Sequence, residues 1–521
     1  MLARKRWIGW TLALGVLAGL IALGFWLRDA PRIQPIEPHK LAQLSEEERA
    51  EWLIEQILAR SQSRTPRWKI LEWLGYGWKR TGYELNISDL MTLGEACLKY
   101  DEMGKWTRKL PTYVMNNALL DQVQLYQARW RLQQGDLTAA QRIIQQMPHS
   151  EARFIALAYY AASQARRGDR DAARHTIAQL PHDFVQPLHT YRSRAVIEMA
   201  QAGMLDEAAQ LVEQAPYEVL EDTEPVRDIL DAYKYAGRWN DALGWARQLL
   251  PGWREYALGE WAAHALQQGD PDPTRRLNPT ERTPGVLMRL ARAAYEQNHP
   301  QQARQWRDTA LKQLERLPPQ ARDAQRMQVA IELARMGDFE QAERIIRIMA
   351  WGQSLRTWAA VQAAHSALTQ NRLDIAQRLA LNSEPSTLRT KILARIAARY
   401  YQIGQHKIAQ TLIDRCLQDT RTANRVHLLG YLVGVLHDIC MPAIEEGGYE
   451  LVSSLLRHLE TEMKRLDPAR DRVFILWGVI QCYVKAGKWE EAFRLAAEAD
   501  TREGQARALL AILSVQVWEN D

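Results

Sequence analysis

The chain has 521 residues, well beyond the roughly 250–300 at which a single hydrophobic core stops growing. It is therefore either several domains or an elongated array. Hydrophobic residues make up 47% and charged residues 25%, which excludes wholesale disorder, and four cysteines exclude a disulfide scaffold. The net charge of +5 comes from 67 basic and 62 acidic residues. They are mixed along the chain without a long basic block, which argues against a nucleic-acid partner.

The N-terminal stretch from Trp7 to Leu27 holds no charged residue, and its length matches the about 20 apolar residues a membrane-spanning helix needs. The expectation is an uncleaved signal anchor at 7–27, because the run exceeds the about 7–15 residues of a cleavable signal core. Arg4, Lys5 and Arg6 precede it. They place the N-terminus in the cytoplasm and the bulk of this single-pass membrane protein outside it, periplasmic or extracellular. Gly15 and Gly19 form a small-residue pair through which two such helices could dimerise.

Residues 29–44, spaced by Pro31, Pro35 and Pro38, read as a linker. A helix is expected to follow, with Ser45 and Glu48 as a capping box. Residues 45–87 read as an N-terminal cap that closes the first unit of the array behind it. Within them, Trp68, Trp73 and Trp78 alternate with Lys69, Lys79 and Arg80. Besides capping, this segment could dock on a bilayer surface or act as a partner hot spot.

From residue 88 a repeat dominates. Gly135-Asp136, Gly168-Asp169, Gly337-Asp338 and Gly487-Lys488 open the same figure. Further copies start at Gly104, Gly203, Gly237, Gly269, Asn298, Asn371, Gly404 and Gly448, at intervals near the about 34 residues of a two-helix unit. The Gly or Asn suits a left-handed turn between two helices. Alanine recurs five residues after it (140, 173, 208, 242, 303, 342, 376, 409, 492) and seven before it (128, 161, 262, 291, 330, 364, 397), where small side chains let antiparallel helices touch.

The pattern resembles the tetratricopeptide repeat family over residues 88–521. That resemblance implies an all-α fold, an α-solenoid in which antiparallel helix pairs wind into a right-handed superhelix, and a concave surface lined by the first helix of each unit that holds peptides or partner proteins. Envelope-facing relatives of this kind assist assembly of membrane complexes. Two places interrupt the array: Pro271, Pro273, Pro279 and Pro284 mark a loop at 270–285, and extra chain lies between Met441 and Gly448. The expected organisation is a first half-solenoid at 88–269, the loop, and a second half at 286–521 ending in a capping helix.

No phosphate-binding loop, zinc-protease motif or nucleophile elbow occurs. No cofactor is expected and no catalysis. His427, His437, Asp438 and Cys440 are the nearest approach to a metal cluster, with His437 and Cys440 one helical turn apart, but no second ligand pair completes it. Arginine recurs fifteen residues before the turn at 153, 254, 322, 356, 389 and 472. It serves either the carbonyls ending the preceding helix or the carboxylates of an extended partner. Arg322, Arg356 and Arg389, with Trp68, Trp73 and Trp78, are the partner-binding candidates. The functional expectation is a membrane-anchored scaffold or adaptor for protein partners of a membrane or envelope complex. A cytoplasm-facing regulator on the same tether, or an enzyme framed by the helices, is the alternative.

Overall fold

The structure is a computed structural model. It describes residues 33–60, 87–100, 107, 120–181, 190–213, 224–249, 251–349, 354–423, 428–464, 466, 469–499 and 501–518. Among these every regular element is helical. In chain order the helices are α1 (Pro38–Ala42), α2 (Glu46–Arg60), α3 (Ile87–Tyr100), α4 (Leu120–Gln133), α5 (Leu137–Gln146), α6 (Glu151–Arg166), α7 (Arg170–Ile177), α8 (Thr190–Gln201) and α9 (Leu205–Glu213). They continue as α10 (Glu224–Tyr235), α11 (Trp239–Gln248), α12 (Pro251–Gln267), α13 (Pro284–Glu296), α14 (Pro300–Arg316), α15 (Pro319–Arg335), α16 (Phe339–Arg347), α17 (Ser354–Thr369) and α18 (Leu373–Leu381). The last are α19 (Thr387–Gln402), α20 (His406–Ala423), α21 (Leu428–Gly434), α22 (Met441–Glu445), α23 (Tyr449–Met463), α24 (Ala469–Lys485), α25 (Trp489–Glu498) and α26 (Arg502–Trp518).

The recurring Gly-Asp figure has a simple chemistry. Gly135, Gly168 and Gly337 have φ of 75°, 88° and 84°, the left-handed conformation that ends a helix without a Cβ penalty. Asn298 and Asn371 do the same work with φ of 62° and 56°. The aspartate that follows caps the next helix: Asp136, Asp169 and Asp338 accept from the amides of Ala139, Ala172 and Gln341 at 3.0, 3.1 and 3.3 Å. One dipeptide thus closes one helix and opens the next. The alanines flanking the turn are all buried, fully so except Ala303 at 7% exposure.

One turn differs from the sequence reading. The left-handed residue is Gly447, with φ of 76°, and not Gly448. Just upstream, Val435–Cys440 form a π-helical turn between α21 and α22. Its wider turn carries about one residue more than an α-turn, which accounts for part of the extra chain in this repeat.

The chain forms two compact units. One comprises residues 1–126 and 487–521, the other 127–486. In the first, both ends of the chain meet: α1 packs on α25, and α2 and α3 pack on α26. Leu53, Ile54, Ile57 and Leu58 of α2 are fully buried. Arg49 lies 3.8 Å over the Trp489 ring and donates to the Leu44 carbonyl at 2.6 Å, while Trp52 meets Phe493 edge-on at 6.1 Å. The capping box forms as expected: the Ser45 amide donates to Glu48 at 3.1 Å, and the Glu48 amide to the Ser45 hydroxyl at 3.3 Å.

In the second unit, residues 270–283 run through two 3-10 turns, Pro273–Arg276 and Pro279–Glu281, and α12 packs directly on α13. Arg247 holds this loop. It donates to both oxygens of Glu281 at 2.9 and 3.0 Å and to the Arg276 carbonyl at 2.8 Å. Arg247→Ala is expected to accelerate amide exchange through 272–282 while lowering overall stability by no more than about 1 kcal/mol. Unchanged exchange would mean that the prolines alone hold the loop.

The expected location of the protein requires correction. Among the described residues no helix is long and apolar enough to cross a membrane, so the assignment as a single-pass membrane protein with an extracytoplasmic bulk is withdrawn. The longest α-helix among the described residues, α20, is 18 residues and carries Lys407, Asp414, Arg415, Asp419 and Arg421, whereas a span needs about 20 predominantly apolar ones. Residues 7–27, with Gly15 and Gly19, lie outside the described residues, as do Trp68, Trp73, Trp78 and His427.

Candidate binding face and cleft

In the second unit, α10, α12, α13, α15, α17 and α19 pack in succession as the first helices of their repeats. Apart from α12, whose second helix is replaced by the 270–283 loop, each packs on its own second helix. The other side repeats at three- and four-residue spacing and is polar: Tyr256, Glu260 and His264 on α12, Arg289, Arg292 and Glu296 on α13, Gln328, Glu332 and Arg335 on α15.

These residues pair both across repeats and along their own helices. Glu332, only 3% exposed, receives Arg292 and Arg335 at 2.8 Å each and Arg289 at 3.6 Å. Arg289 also reaches Glu260 at 3.7 Å, and Arg292 reaches Glu296 at 3.5 Å. Burial works against the Arg292 cation, yet Glu332 and then Glu260 hold its pKa above the ordinary value. Arg289 is fixed by a bond to the Tyr256 carbonyl at 2.7 Å and lies 4.5 Å over the Tyr256 ring. A second cluster joins α19, α22 and α24: Arg395 and Lys485 meet Glu445 at 2.8 and 3.3 Å, and Arg399 meets Glu446 at 2.8 Å. The face is therefore densely charged, with three arginines among three glutamates in the first cluster and three cations sharing two glutamates in the second.

Between α10, α12 and α13 this face opens into a cleft of about 260 Å³, walled by Arg227, Asp231, Lys234, Glu260, Arg292 and Glu296. His264 and Trp239 also line it, with rings edge-to-face at 4.3 Å. Trp239 is held in place by reciprocal indole bonds: its Nε1 donates to the Trp261 carbonyl at 3.1 Å, and Trp261 returns one at 3.0 Å.

Burial, and then the Lys234 cation, lower the His264 pKa, so the imidazole stays neutral near pH 7. Burial likewise lowers His365 beside Arg395 and His437 beside Lys391. An unfolded histidine takes its proton near pH 6.5, before these do, so stability is lost as pH falls from about 6.5 through the depressed folded values and is unaffected above. Burial raises the Asp438 carboxyl, which contributes in the opposite sense at lower pH. The melting temperature of the protein is expected to fall more steeply between pH 7 and 5.5 than that of His264→Gln; equal slopes would remove His264 from the account.

The arginines singled out by the repeat occupy helix ends. Arg322 donates to the Leu317 carbonyl at 3.0 and 2.6 Å, Arg254 to Leu249 at 3.0 Å, Arg153 to Met147 at 3.4 Å and Arg472 to Leu466 at 3.3 Å. Arg389, 3% exposed, donates to the Ser383 carbonyl at 2.7 Å and pairs with Asp419 at 3.0 Å. Arg356 is half-buried. A cation at a helix C-terminus meets unpaired carbonyls and the negative end of the helix dipole. Arg282 and Arg49 serve the Leu277 and Leu44 carbonyls in the same way, outside the fifteen-residue register that flagged the others.

The histidine–cysteine grouping separates. In the π turn, residues three apart no longer share a face: His437 faces Phe474 at 6.3 Å between ring centres, Asp438 stands 3.8 Å from Lys391, and Cys440 is fully buried with its thiol pKa pushed up by burial. Among the described residues no group of three or more His, Cys, Asp and Glu could hold a metal ion. The signal for this face is the three- and four-residue spacing of charges on successive first helices, which also contains the local pairs Arg292–Glu296 and Glu332–Arg335; the pairs between helices are not readable from it.

Comparison with known proteins is consistent with a helical-repeat chain. Residues 478–498, spanning the turn at Gly487, match the family model described as PPR repeat, a different helical-repeat class from the tetratricopeptide resemblance drawn from the sequence. No curated protein matches. Among solved structures, a circular tandem repeat protein with novel repeat topology and enhanced subunit contact surfaces is 16% identical, covering 91% of this chain and 98% of that one, with a TM-score of 0.18. The pentatricopeptide repeat protein PPR10 from maize is 12% identical, covering 85% and 77%, with a TM-score of 0.25.

Proposed function

We propose that this chain is a non-catalytic helical-repeat scaffold that holds polypeptide segments on the polar face of its first helices, as an adaptor in assembling protein complexes. The observation that carries this is that the cations of this face each have a carboxylate beside them, from a neighbouring repeat or from their own helix. Arg289 and Arg292 meet Glu260 and Glu332 of neighbouring repeats, Arg292 and Arg335 also meet Glu296 and Glu332 of their own helices, and Arg395, Arg399 and Lys485 share Glu445 and Glu446. A nucleic-acid groove needs excess cation to displace the counterions of the phosphates; this face has a carboxylate beside those arginines. A polypeptide, with donors, acceptors and both charge signs, suits such a surface. We place its contacts here and not on Arg322 or Arg389, whose guanidinium groups already serve helix ends.

A single-stranded RNA ligand is the second reading, favoured by the PPR repeat match at 478–498. The test compares a synthetic peptide array with a uridine-rich oligonucleotide by fluorescence anisotropy at about 50 and 200 mM salt. The expected result is capture of a subset of peptides with weak salt dependence, and RNA binding no tighter than the non-specific range of about 10⁻⁴–10⁻⁶ M. RNA bound well below that range with a steep salt slope, and no peptide retained, would reverse the assignment.

A further inference from the structure

The charges around the cleft between α10, α12 and α13 are not all satisfied alike. Arg292 is engaged by Glu332, Glu260 and Glu296, and Glu260 also meets Arg289. Asp231 and Lys234 line the cleft, and among the described residues their side chains make no hydrogen bond or ion pair, acting only through space on His264. They are three residues apart on α10, hence one turn apart on one face, Asp231 half-buried and Lys234 exposed. Leu230, Ala263 and Ala293 add apolar surface to its lining.

We infer that this cleft receives a neighbouring acidic and basic side-chain pair from a bound polypeptide, the acid opposite Lys234 and the base opposite Asp231. This rests on the reading of the first-helix face as a polypeptide site. A ligand with acidic groups alone would meet Asp231, Glu260 and Glu296; one with basic groups alone would meet Lys234, Arg227 and Arg292. Only a ligand presenting both signs finds a partner for each open charge and no uncompensated repulsion. The volume agrees. About 260 Å³ is below the roughly 300–1,000 Å³ of sites that enclose a whole small molecule, and suits side chains inserted from a longer segment. Neutral His264 sits beside Lys234 and can accept or donate a hydrogen bond to the same segment without adding charge.

The test uses the full chain and five short fluorescent peptides of Gly, Ser and Leu whose central pair is Glu-Lys, Lys-Glu, Glu-Glu, Lys-Lys or Ser-Ser. A mixed pair should bind about tenfold more tightly than either like-charged pair. Lys234→Glu, which leaves two open carboxylates, should move the preference to Lys-Lys, and Asp231→Lys should move it to Glu-Glu. The milder D231N/K234Q variant should flatten the ranking, and circular dichroism identifies any variant that has not folded. Equal affinity for all five peptides, or variants that keep the original ranking, would overturn the paired-charge inference while leaving the polypeptide reading intact. Failure of all five, together with failure of the peptide array, would overturn both.

Discussion

Replacing Glu332 with alanine should destabilise α13 and α15 by about 3–5 kcal/mol, the range for breaking a buried ion pair by removing one partner. Glu332 is 3% exposed and is the shared partner of Arg289, Arg292 and Arg335. Glu260 and Glu296 remain for two of these arginines, but Arg335 keeps no other carboxylate within 4 Å among the described residues. Glu332→Gln, which keeps shape and some hydrogen bonding, should cost about 1–3 kcal/mol. Amide exchange in α13 and α15 is the appropriate readout, because long repeat arrays need not unfold in a single step. The same change carries a functional consequence. With its buried carboxylate gone, the face gains net positive charge, and uridine-rich RNA should bind more tightly and with a steeper salt dependence than to the unchanged protein. A variant that exchanges like the unchanged protein and still ignores RNA would show that the arginine cluster does not depend on Glu332.

Arg389→Ala is the second large expected effect, also about 3–5 kcal/mol. This arginine closes the end of α18 through the Ser383 carbonyl and pairs with Asp419 on α20. Removing it leaves Asp419, 6% exposed, with Arg415 at 3.3 Å as its remaining ion-pair partner among the described residues. Burial already holds the Arg389 pKa below its ordinary value, with Asp419 countering it, so the guanidinium is a charge kept in the interior by its partner. Removing both residues in R389A/D419A should recover part of the loss, with a coupling of about 0.5–3 kcal/mol in a double-mutant cycle. Arg322→Gln, on a more exposed helix end, should cost about 0.3–1 kcal/mol. If Arg389→Ala leaves thermal stability intact and abolishes peptide capture, the arginines belong to a binding surface after all.

Much of the architecture is legible because its chemistry is local. The Gly-Asp dipeptide specifies a left-handed turn and an N-cap whatever surrounds it, as Gly168 and Asp169 show. The Ser45–Glu48 box closes within three residues. Alanines five after and seven before the turn are buried because helical geometry alone points them at the facing helix. An arginine near a first-helix start finds the end of the preceding helix five or six residues away.

What the tertiary structure decided is what local spacing cannot encode. The packing of α2 and α3 against α26 joins residues separated by most of the chain, and no periodic signal marks either end as the other's partner. The left-handed glycine before α23 is Gly447 and not Gly448, and a π turn lies upstream of it; between two adjacent glycines, composition and apolar spacing do not choose. The N-terminal apolar run prompted a membrane assignment that no described helix supports. Most consequential for function, the sequence displays Glu260, Arg289, Arg292, Glu332 and Arg335 as solvated helix charges like any others. Only the side-by-side packing of α12, α13 and α15 buries Glu332 among three arginines, while Asp231 and Lys234 on α10 stay open at the cleft. Helix periodicity fixes which face a charge occupies; which charge it meets depends on the rotation and offset of the neighbouring helix, and those are set by packing of the whole array.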